Sequence, residues 1–241
     1  MSMEELAERR GDNLYEMSLE LRFGDQLLEL DVPSGIWNPT PHGVELGRRL
    51  LELDFRGEHV LELGTGCGLH AILIARRGAA RLTLTEIDDE TLRNADHNLR
   101  KHGVDLPIDY RVADWVQVPG GPYDSLVTNP PFAKAGKHYR RYFIDTLILE
   151  AHKLVRPGGR LIFVQSSMAD LPRTLRTMEE AGLGARIVGE SDGPFRDYYF
   201  EDPQYRIEMA GVPGAYVIRD GEYYERLTVL EGTLPEPPQP A

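Results

Sequence analysis

The sequence predicts an α/β fold with a doubly wound, seven-stranded, mostly parallel sheet and an N-terminal β-hairpin extension. Short apolar segments alternate along the chain with segments that have apolar residues at helical spacing, which is the order of βαβ units. The apolar segments are typical of strands that are buried on both faces of a sheet. A Gly24-Asp25 pair between two segments of alternating polarity predicts the additional hairpin.

Length and composition limit the classes of protein and partner. The chain has 241 residues, 41% of them hydrophobic, which suits one α/β domain with a sizeable core. Its formal net charge of -12 makes nucleic acid an unlikely partner, although a local basic patch keeps such a substrate open. Cys67 is the single cysteine, so an internal disulfide is impossible and a reducing compartment fits. The polar start and the lack of a long apolar run favour a cytoplasmic protein without membrane contact.

The pattern divides the chain into three parts. Residues 1–58 contain an N-terminal arm, a hairpin over residues 19–32, a loop, and a helix over residues 44–53. Residues 59–231 contain the alternating strands and helices. Residues 232–241 form a proline-rich tail that we expect to be disordered.

Strands and helices follow one another through the second part. The predicted strands are residues 59–64, 80–88, 108–115, 123–129, 160–167 and 185–191. The predicted helices are residues 69–78, 89–103, 142–155 and 169–181. A final hairpin is predicted to turn at Asp220-Gly221. Ligands of such sheets bind beyond the carboxyl ends of the strands, at the point where the strand order reverses.

A glycine loop and two carboxylates predict a nucleotide-like ligand at this point. Gly64, Gly66 and Gly68 follow the first strand, where glycines allow a sharp turn and close approach of a ligand. Glu62 precedes the loop, where a carboxylate would repel a phosphate and attract an ammonium group. Glu86 ends the second strand, where a carboxylate can accept hydrogen bonds from both ribose hydroxyls.

The third strand adds an adenine contact. Asp114 can accept a hydrogen bond from an adenine amino group, and Trp115 can lie against the ring, although strand-ending carboxylates often only cap helices. A nucleoside that carries an amino acid and lacks phosphate fits these features, and S-adenosylmethionine is such a ligand. The candidate cofactor-binding residues are Glu62, Gly64, Thr65, Gly66, Gly68, Glu86, Ile87, Asp114, Trp115 and Asn129.

The fourth strand ends in Asn129-Pro130-Pro131-Phe132, which we call the NPPF motif. Proline cannot donate a ladder hydrogen bond, and it restricts the preceding residue to extended geometry. The motif is therefore either a simple strand terminator or a rigid pair of acceptors, the Asn129 side-chain oxygen and the Pro130 carbonyl, with the ring of Phe132 beside them.

These motifs in this order resemble a known family. Residues 59–167 resemble the class I S-adenosylmethionine-dependent methyltransferases, and the NPPF motif resembles that of a subgroup that methylates nitrogen in planar groups. Residues 21–46 resemble the hairpin and loop that precede the fold in release-factor glutamine methyltransferases. About 58 residues precede the first strand, too few for the helical domain of those enzymes. The resemblance implies a Rossmann-like methyltransferase fold, S-adenosylmethionine as the cofactor, and N-methylation.

The NPPF motif suits a nitrogen whose lone pair is shared with a π system. Acceptors on its two hydrogens can draw the nitrogen towards a tetrahedral state and restore the lone pair. We therefore predict Asn129, Pro130 and Phe132 as catalytic residues. We predict no metal site, because no His or Cys cluster has the spacing of ligands.

Aromatic and acidic residues predict the side of the site that binds substrate. A segment over residues 193–209 interleaves rings with carboxylates, which suits a small cationic planar group, although a lid with solvated acids is the alternative. The candidate substrate-binding residues are Trp37, Phe132, Tyr198, Tyr199 and Glu201. We expect His42, in the preceding loop, to be solvated.

Four functions fit the sequence. We prefer N-methylation of a small molecule or free amino acid, for example the guanidinium of arginine. Protein glutamine N5-methylation and methylation of a base in RNA or DNA are the alternatives. A non-enzymatic scaffold that binds the cofactor is disfavoured by the intact NPPF motif.

Overall fold

A computed structural model describes residues 18–131, 141–195, 199, 207 and 209–236. In this part of the chain, an eight-stranded sheet carries helices on both faces, and a two-stranded hairpin packs beside it. The predicted α/β fold class and the N-terminal hairpin are therefore confirmed.

The strands and helices are numbered in chain order. The strands are β1 (Ser18–Phe23), β2 (Gln26–Asp31), β3 (His59–Leu63), β4 (Arg81–Glu86), β5 (Ile108–Val112), β6 (Tyr123–Thr128), β7 (Val155–Ser166), β8 (Gly184–Pro194), β9 (Val217–Arg219) and β10 (Glu222–Thr233). The helices are α1 (Pro41–Leu50), α2 (Leu69–Arg76), α3 (Asp89–Lys101), α4 (Tyr142–Leu154) and α5 (Leu171–Glu180), and a 3-10 turn covers Ser167–Ala169. The described helices are all too short or too polar to span a lipid bilayer.

Helix α1 begins three residues earlier than the sequence pattern predicts. Thr40 caps it, because its hydroxyl accepts a hydrogen bond from the backbone N–H of Gly43 at 3.3 Å. Pro41 occupies the first turn, where its missing N–H costs nothing. The predicted loop therefore ends at Thr40, and His42 lies in the helix instead of in solvent.

The strand order fixes where a ligand can bind. Seven strands follow the order β5-β4-β3-β6-β7-β10-β8, and β9 pairs with β10. The pairs from β5 to β7 are parallel, whereas those of β10 are antiparallel. The strand order reverses at β3, because β4 and β5 follow on one side of it and β6 and β7 on the other. The carboxyl ends of β3, β4 and β6 therefore form the predicted crevice.

Each face of the sheet covers its own core. On β3, Val60 faces the core that is shared with α1, α2, α3 and the hairpin, whereas Leu61 and Leu63 face the core of α4 and α5. Alternate residues of β7 divide in the same way, with Ile162 on the first face and Phe163 on the second. Burial on both faces explains why the parallel strands have continuous apolar sequences.

A buried asparagine joins the hairpin to the sheet. The side-chain amide of Asn98, on α3, accepts a hydrogen bond from the N–H of Asp31 and donates to the carbonyl of Asp31, each at 2.9 Å. It also donates to the carbonyl of Cys67 in the glycine loop at 2.9 Å. One side chain therefore connects the end of β2, helix α3 and the loop after β3.

The substitution Asn98→Ala tests this connection. It should lower the free energy of unfolding by about 2–4 kcal/mol, since the Asp31 N–H and the Cys67 carbonyl lose their buried partner. Urea denaturation measures the change. As a control, Arg100→Ala removes an exposed ion pair with Asp96 on the same helix and should change stability by less than about 1 kcal/mol. Equal effects of the two variants would contradict the role of Asn98.

Candidate active site

The candidate site lies at the carboxyl ends of β3, β4 and β6. Leu63 is the register partner of Thr85 on one side and of Thr128 on the other, so the three strands end at one level. The Thr128 hydroxyl donates a hydrogen bond to the Leu63 carbonyl at 2.9 Å and fixes β6 against β3. The loops that follow these strands must therefore lie side by side.

The glycine loop is hydrogen-bonded to the end of β4 on one side and borders open space on the other. The N–H groups of Gly64 and Thr65 donate hydrogen bonds to the Thr85 carbonyl at 3.1 and 3.0 Å. Gly66 has a φ of 55°, and a side chain added there would meet no atom within 4 Å. The backbone at Gly66 therefore borders open space, as expected where a ligand approaches the main chain.

Gly68 is required for packing at the other end of the loop. Its φ is 84°, and an added Cβ would lie 2.8 Å from Leu99 Cδ1 and 3.2 Å from the Ala95 carbonyl. Both residues belong to α3, so the glycine lets the loop pass close to this helix. Between Gly66 and Gly68, burial raises the pKa of the Cys67 thiol to about 12, so this cysteine is a neutral packing group.

Glu86 lies directly beside the glycine loop. One carboxylate oxygen accepts a hydrogen bond from the N–H of Gly66 at 2.8 Å, and the other accepts from the N–H of Ile87 at 3.2 Å. Burial raises the pKa of Glu86, and these two backbone bonds act in the opposite direction. The carboxylate is thus fixed beside the loop, and its contact with ribose hydroxyls remains a prediction. The side chain of Ile87, the next residue, is 71% exposed.

Glu62 is buried under the glycine loop and is not exposed beside it. It is fully buried; the Thr65 hydroxyl donates to one carboxylate oxygen at 2.8 Å, and His70 Nδ1 lies 3.1 Å from the other. This arrangement shows how Glu62 orders the loop. Its direct contact with an ammonium group remains a prediction.

The two residues predicted to contact adenine, Asp114 and Trp115, have different surroundings in the loop after β5. Asp114 is exposed. Trp115 is half-buried, donates its indole N–H to the Thr146 hydroxyl at 3.0 Å, and meets the ring of Phe143 edge-on at 5.0 Å. Trp115 therefore anchors its loop to α4, and stacking on adenine remains a prediction.

Asn129 lies where β6 ends, next to the first turn of α1. Its side-chain nitrogen Nδ2 is 3.5 Å from the Thr40 hydroxyl, a long contact that orients the amide. Pro130 is buried and Pro131 is exposed, whereas the ring of the NPPF motif, Phe132, lies outside the described residues.

The predicted substrate-binding residues have different surroundings. Trp37 is 79% exposed, and it belongs to residues 35–41, which line an open cavity of about 450 Å³ before and at the start of α1. Tyr199 is only 2% exposed, and its hydroxyl donates to Glu225 at 3.2 Å. Tyr198 and Glu201 lie outside the described residues.

The prediction that His42 is solvated is wrong. His42 is buried, and its Nε2 lies 3.3 Å from a carboxylate oxygen of Glu225, a buried residue of β10. Burial of Glu225 favours a partner that can carry positive charge, and the early start of α1 brings His42 to it.

The buried contacts of His70 and Glu225 were not predicted from the sequence. His70 is the only titratable residue of the apolar segment LHAIL, which is a signal that the sequence did contain. Glu225 is distant from His42 along the chain and lies in a strand of ordinary composition, so no local pattern marked it.

Comparison with known proteins agrees with this geometry. A family model described as the methyltransferase small domain matches residues 43–185. A protein of Methanocaldococcus jannaschii, provisionally named as a protein N5-glutamine methyltransferase, is 24% identical over 185 residues, which cover 70% of this chain and 92% of that protein. The ribosomal RNA small subunit methyltransferase C of Pseudomonas aeruginosa is 34% identical over 146 residues, which cover 59% of this chain and 41% of that protein.

A solved structure shows the same fold. A 16S rRNA N2-guanosine methyltransferase of T. thermophilus, in complex with AdoMet and guanosine, superposes with a TM-score of 0.60 at 19% identity. The match covers 90% of this chain and 50% of that chain. The chain thus spans nearly all of the M. jannaschii relative and half or less of the two rRNA enzymes.

Replacement of Glu86 by glutamine tests the cofactor site. Glu86→Gln should weaken S-adenosylmethionine binding by about 1.5–3 kcal/mol, the usual value of hydrogen bonds to a charged group. Because burial raises the pKa of Glu86, affinity of the parent protein should fall as the pH is lowered through that raised value, where the carboxylate takes up a proton. The loss should begin at a higher pH than for an ordinary glutamate.

Calorimetry over a series from neutral to acidic pH measures both effects. The glutamine variant should show weak binding with little pH dependence. The exposed Glu90→Gln on α3 serves as the control and should bind as the parent does. Unchanged affinity in Glu86→Gln would remove Glu86 from the ribose.

Proposed function

Because the chain belongs to the methyltransferase small domain family, we propose that it transfers the methyl group of S-adenosylmethionine to a planar nitrogen in a macromolecular substrate. It is a methyltransferase with a Rossmann-like fold, and S-adenosylmethionine is its cofactor. The first candidate for the acceptor is the side-chain amide of a protein glutamine.

The placement of Asn129 is the observation that carries the proposal. The residue lies at the end of β6, beside the glycine loop of β3, with its amide nitrogen turned towards Thr40. Its oxygen can therefore accept a hydrogen bond from the nitrogen that receives the methyl group. The carbonyl of Pro130 is the second acceptor, and the stiffness of the two prolines limits the movement of both.

The reaction needs orientation and acceptor dipoles from the protein. The amide nitrogen of glutamine forms a bond to the methyl carbon as the carbon–sulfur bond breaks, and the sulfonium becomes a neutral thioether. The nitrogen then releases one proton to solvent water. Two acceptors on its N–H groups favour the tetrahedral geometry in which the lone pair can attack, and their effect is largest in the transition state.

A protein is favoured over a small molecule as the substrate. The M. jannaschii relative, matched over 92% of its length, is named for protein glutamine methylation, and the P. aeruginosa relative is named for ribosomal RNA. These relatives do not support the small-molecule or arginine acceptor that the sequence pattern suggested. The net charge of -12 opposes strong binding to a phosphate backbone and therefore favours the protein over the RNA.

The second candidate is a guanine amino group in ribosomal RNA. It is supported by the 34% identity to the P. aeruginosa enzyme and by the match to the T. thermophilus structure that contains guanosine. Guanine N2 is also a planar nitrogen with two hydrogens, so the same acceptors at Asn129 and Pro130 serve it.

A methyl-transfer screen distinguishes the candidates. The purified protein is incubated with methyl-labelled S-adenosylmethionine and, separately, with release factors, ribosomal proteins, ribosomal RNA and free amino acids. We expect label in a protein, at a glutamine that mass spectrometry identifies. Label in RNA alone would replace the first candidate by the second, and label in free amino acids alone would reject both.

The same screen tests the need for metal. In the part of the chain that the structure describes, no group of His, Cys, Asp and Glu side chains is arranged to hold a metal ion. We therefore expect transfer to continue in the presence of a chelator.

Substitutions of Asn129 test the acceptor role. Asn129→Ala should lower kcat by about 10² to 10³, the typical cost of losing one oriented group that stabilises the transition state. Cofactor affinity should stay nearly unchanged, because the lost contact is made with the reacting nitrogen. Asn129→Asp keeps an acceptor oxygen and should retain partial activity towards a neutral amide or base. If Asn129→Ala had the same kcat as the parent protein, the NPPF motif would be only a strand terminator.

A further inference from the structure

A buried histidine joins the cofactor loop to helix α1. His70, in the first turn of α2, is 6% exposed. Its Nδ1 lies 3.1 Å from a carboxylate oxygen of Glu62, and its Nε2 lies 2.8 Å from the backbone carbonyl of Gly43. One imidazole ring therefore contacts the strand that carries the glycine loop and the first turn of the helix beside Asn129.

Each ring nitrogen of His70 has a buried hydrogen-bond partner. The Gly43 carbonyl can only accept a hydrogen bond, so this contact requires a proton on Nε2. The contact between Nδ1 and Glu62 is made by a proton on the ring or on the carboxyl group, and the Thr65 hydroxyl donates to the second oxygen of Glu62. The buried polar atoms of both side chains therefore have partners.

The charged groups near His70 and Glu62 have partners of their own. Among the described residues, His70 is the only side chain that forms an ion pair with Glu62. The other carboxylate near the loop, Glu86, is held by backbone N–H groups, and Cys67 is a neutral thiol. On α1, the buried Glu45 pairs with Arg48 and Arg49, and His42 pairs with Glu225.

The contact of His70 continues through Gly43 to Asn129. A Cβ added to Gly43 would lie 3.6 Å from His70 Nε2 and 3.5 Å from Asn129 Nδ2, so the glycine lies between the two side chains. The Gly43 N–H is donated to the Thr40 hydroxyl, which is also the partner of the Asn129 amide. The first turn of α1 is therefore the surface that orients Asn129, and His70 holds this turn by its carbonyl.

We propose that His70 is a positioning residue for methyl transfer, which holds Asn129 in register with the cofactor through its bond to the Gly43 carbonyl in the first turn of α1. The role rests on the proposed function, since Asn129 must be the group that orients the acceptor nitrogen. Misplacement of a reacting group by about 1 Å can cost about 10²-fold in rate, so a single buried hydrogen bond can control turnover.

Two amide substitutions separate the two hydrogen bonds. In His70→Asn, the amide nitrogen can take the place of Nδ1, so the bond to Glu62 is kept and the bond to Gly43 is lost. In His70→Gln, the longer amide reaches the position of Nε2, so the bond to Gly43 is kept and the bond to Glu62 is lost. We expect kcat to fall at least about tenfold in His70→Asn and to stay within about threefold of the parent in His70→Gln.

Cofactor affinity, measured by calorimetry, separates positioning from a general structural role. It should change by less than about threefold in His70→Asn, since the glycine loop keeps its contact with Glu62. A parent-like kcat in His70→Asn, an equal loss of kcat in both variants, or a loss confined to cofactor affinity would overturn the proposal.

Nitrogen-15 NMR of the unsubstituted protein provides a measurement that needs no variant. We expect Nε2 of His70 to be protonated and its proton to exchange slowly with solvent, because the Gly43 carbonyl accepts it. A His70 ring without a proton on Nε2 would overturn the proposal even where the variants fail to fold. Absence of methyl transfer by the parent protein would instead contradict the proposed function, since the NMR result is independent of activity.

Discussion

The pairing of β3 with β4 on one side and β6 on the other is the constraint on which the site depends. Backbone hydrogen bonds place Leu63 level with both Thr85 and Thr128, so three strands end at the same height. Each loop then begins from a fixed point, and the side chains of Glu86 and Asn129 need only short connections to reach the same space. Because the strands are buried on both faces, a shift of one residue in this register would exchange the side chains that face the two cores.

Polar groups inside the first core connect the elements around this crevice. Asn98 links the hairpin to the glycine loop, and Glu62 with His70 links that loop to α1. Each of these side chains has a partner for its buried polar atoms, which is the condition for tolerating them in an apolar core. Apolar packing determines how the helices cover the sheet, whereas these directed bonds determine the position of individual loops.

Local patterns were sufficient to predict the fold, the glycine loop and the position of Glu86. Each depends on residues close in sequence, namely a strand, a turn that needs glycine and a strand-ending carboxylate. The surroundings of Trp115 and His70 could not be predicted in this way, because Thr146 and Gly43 are distant in sequence and meet them only in the folded chain. The same holds for the substrate side, where Tyr199 turned inwards to a residue of the last strand.

The error at His42 has a different cause. The prolines at positions 39 and 41 were interpreted as parts of a loop, yet Thr40-Pro41 is a helix start in which threonine caps and proline takes the first position. A capping signal was therefore present in the residues that were predicted to form a loop. Because the helix begins before His42, this residue lies beside the buried Glu225 and not at the surface where it was expected.

The bond between Glu86 and the N–H of Gly66 is made between two groups of the protein itself. Glycine has the largest conformational freedom of any residue, so a loop with three glycines would lose considerable entropy if the cofactor itself had to order it. Here a carboxylate of the protein, which is expected to receive the ribose, holds the loop in one shape. The entropy of ordering is lost during folding, and more of the contact energy with the ligand remains available as affinity.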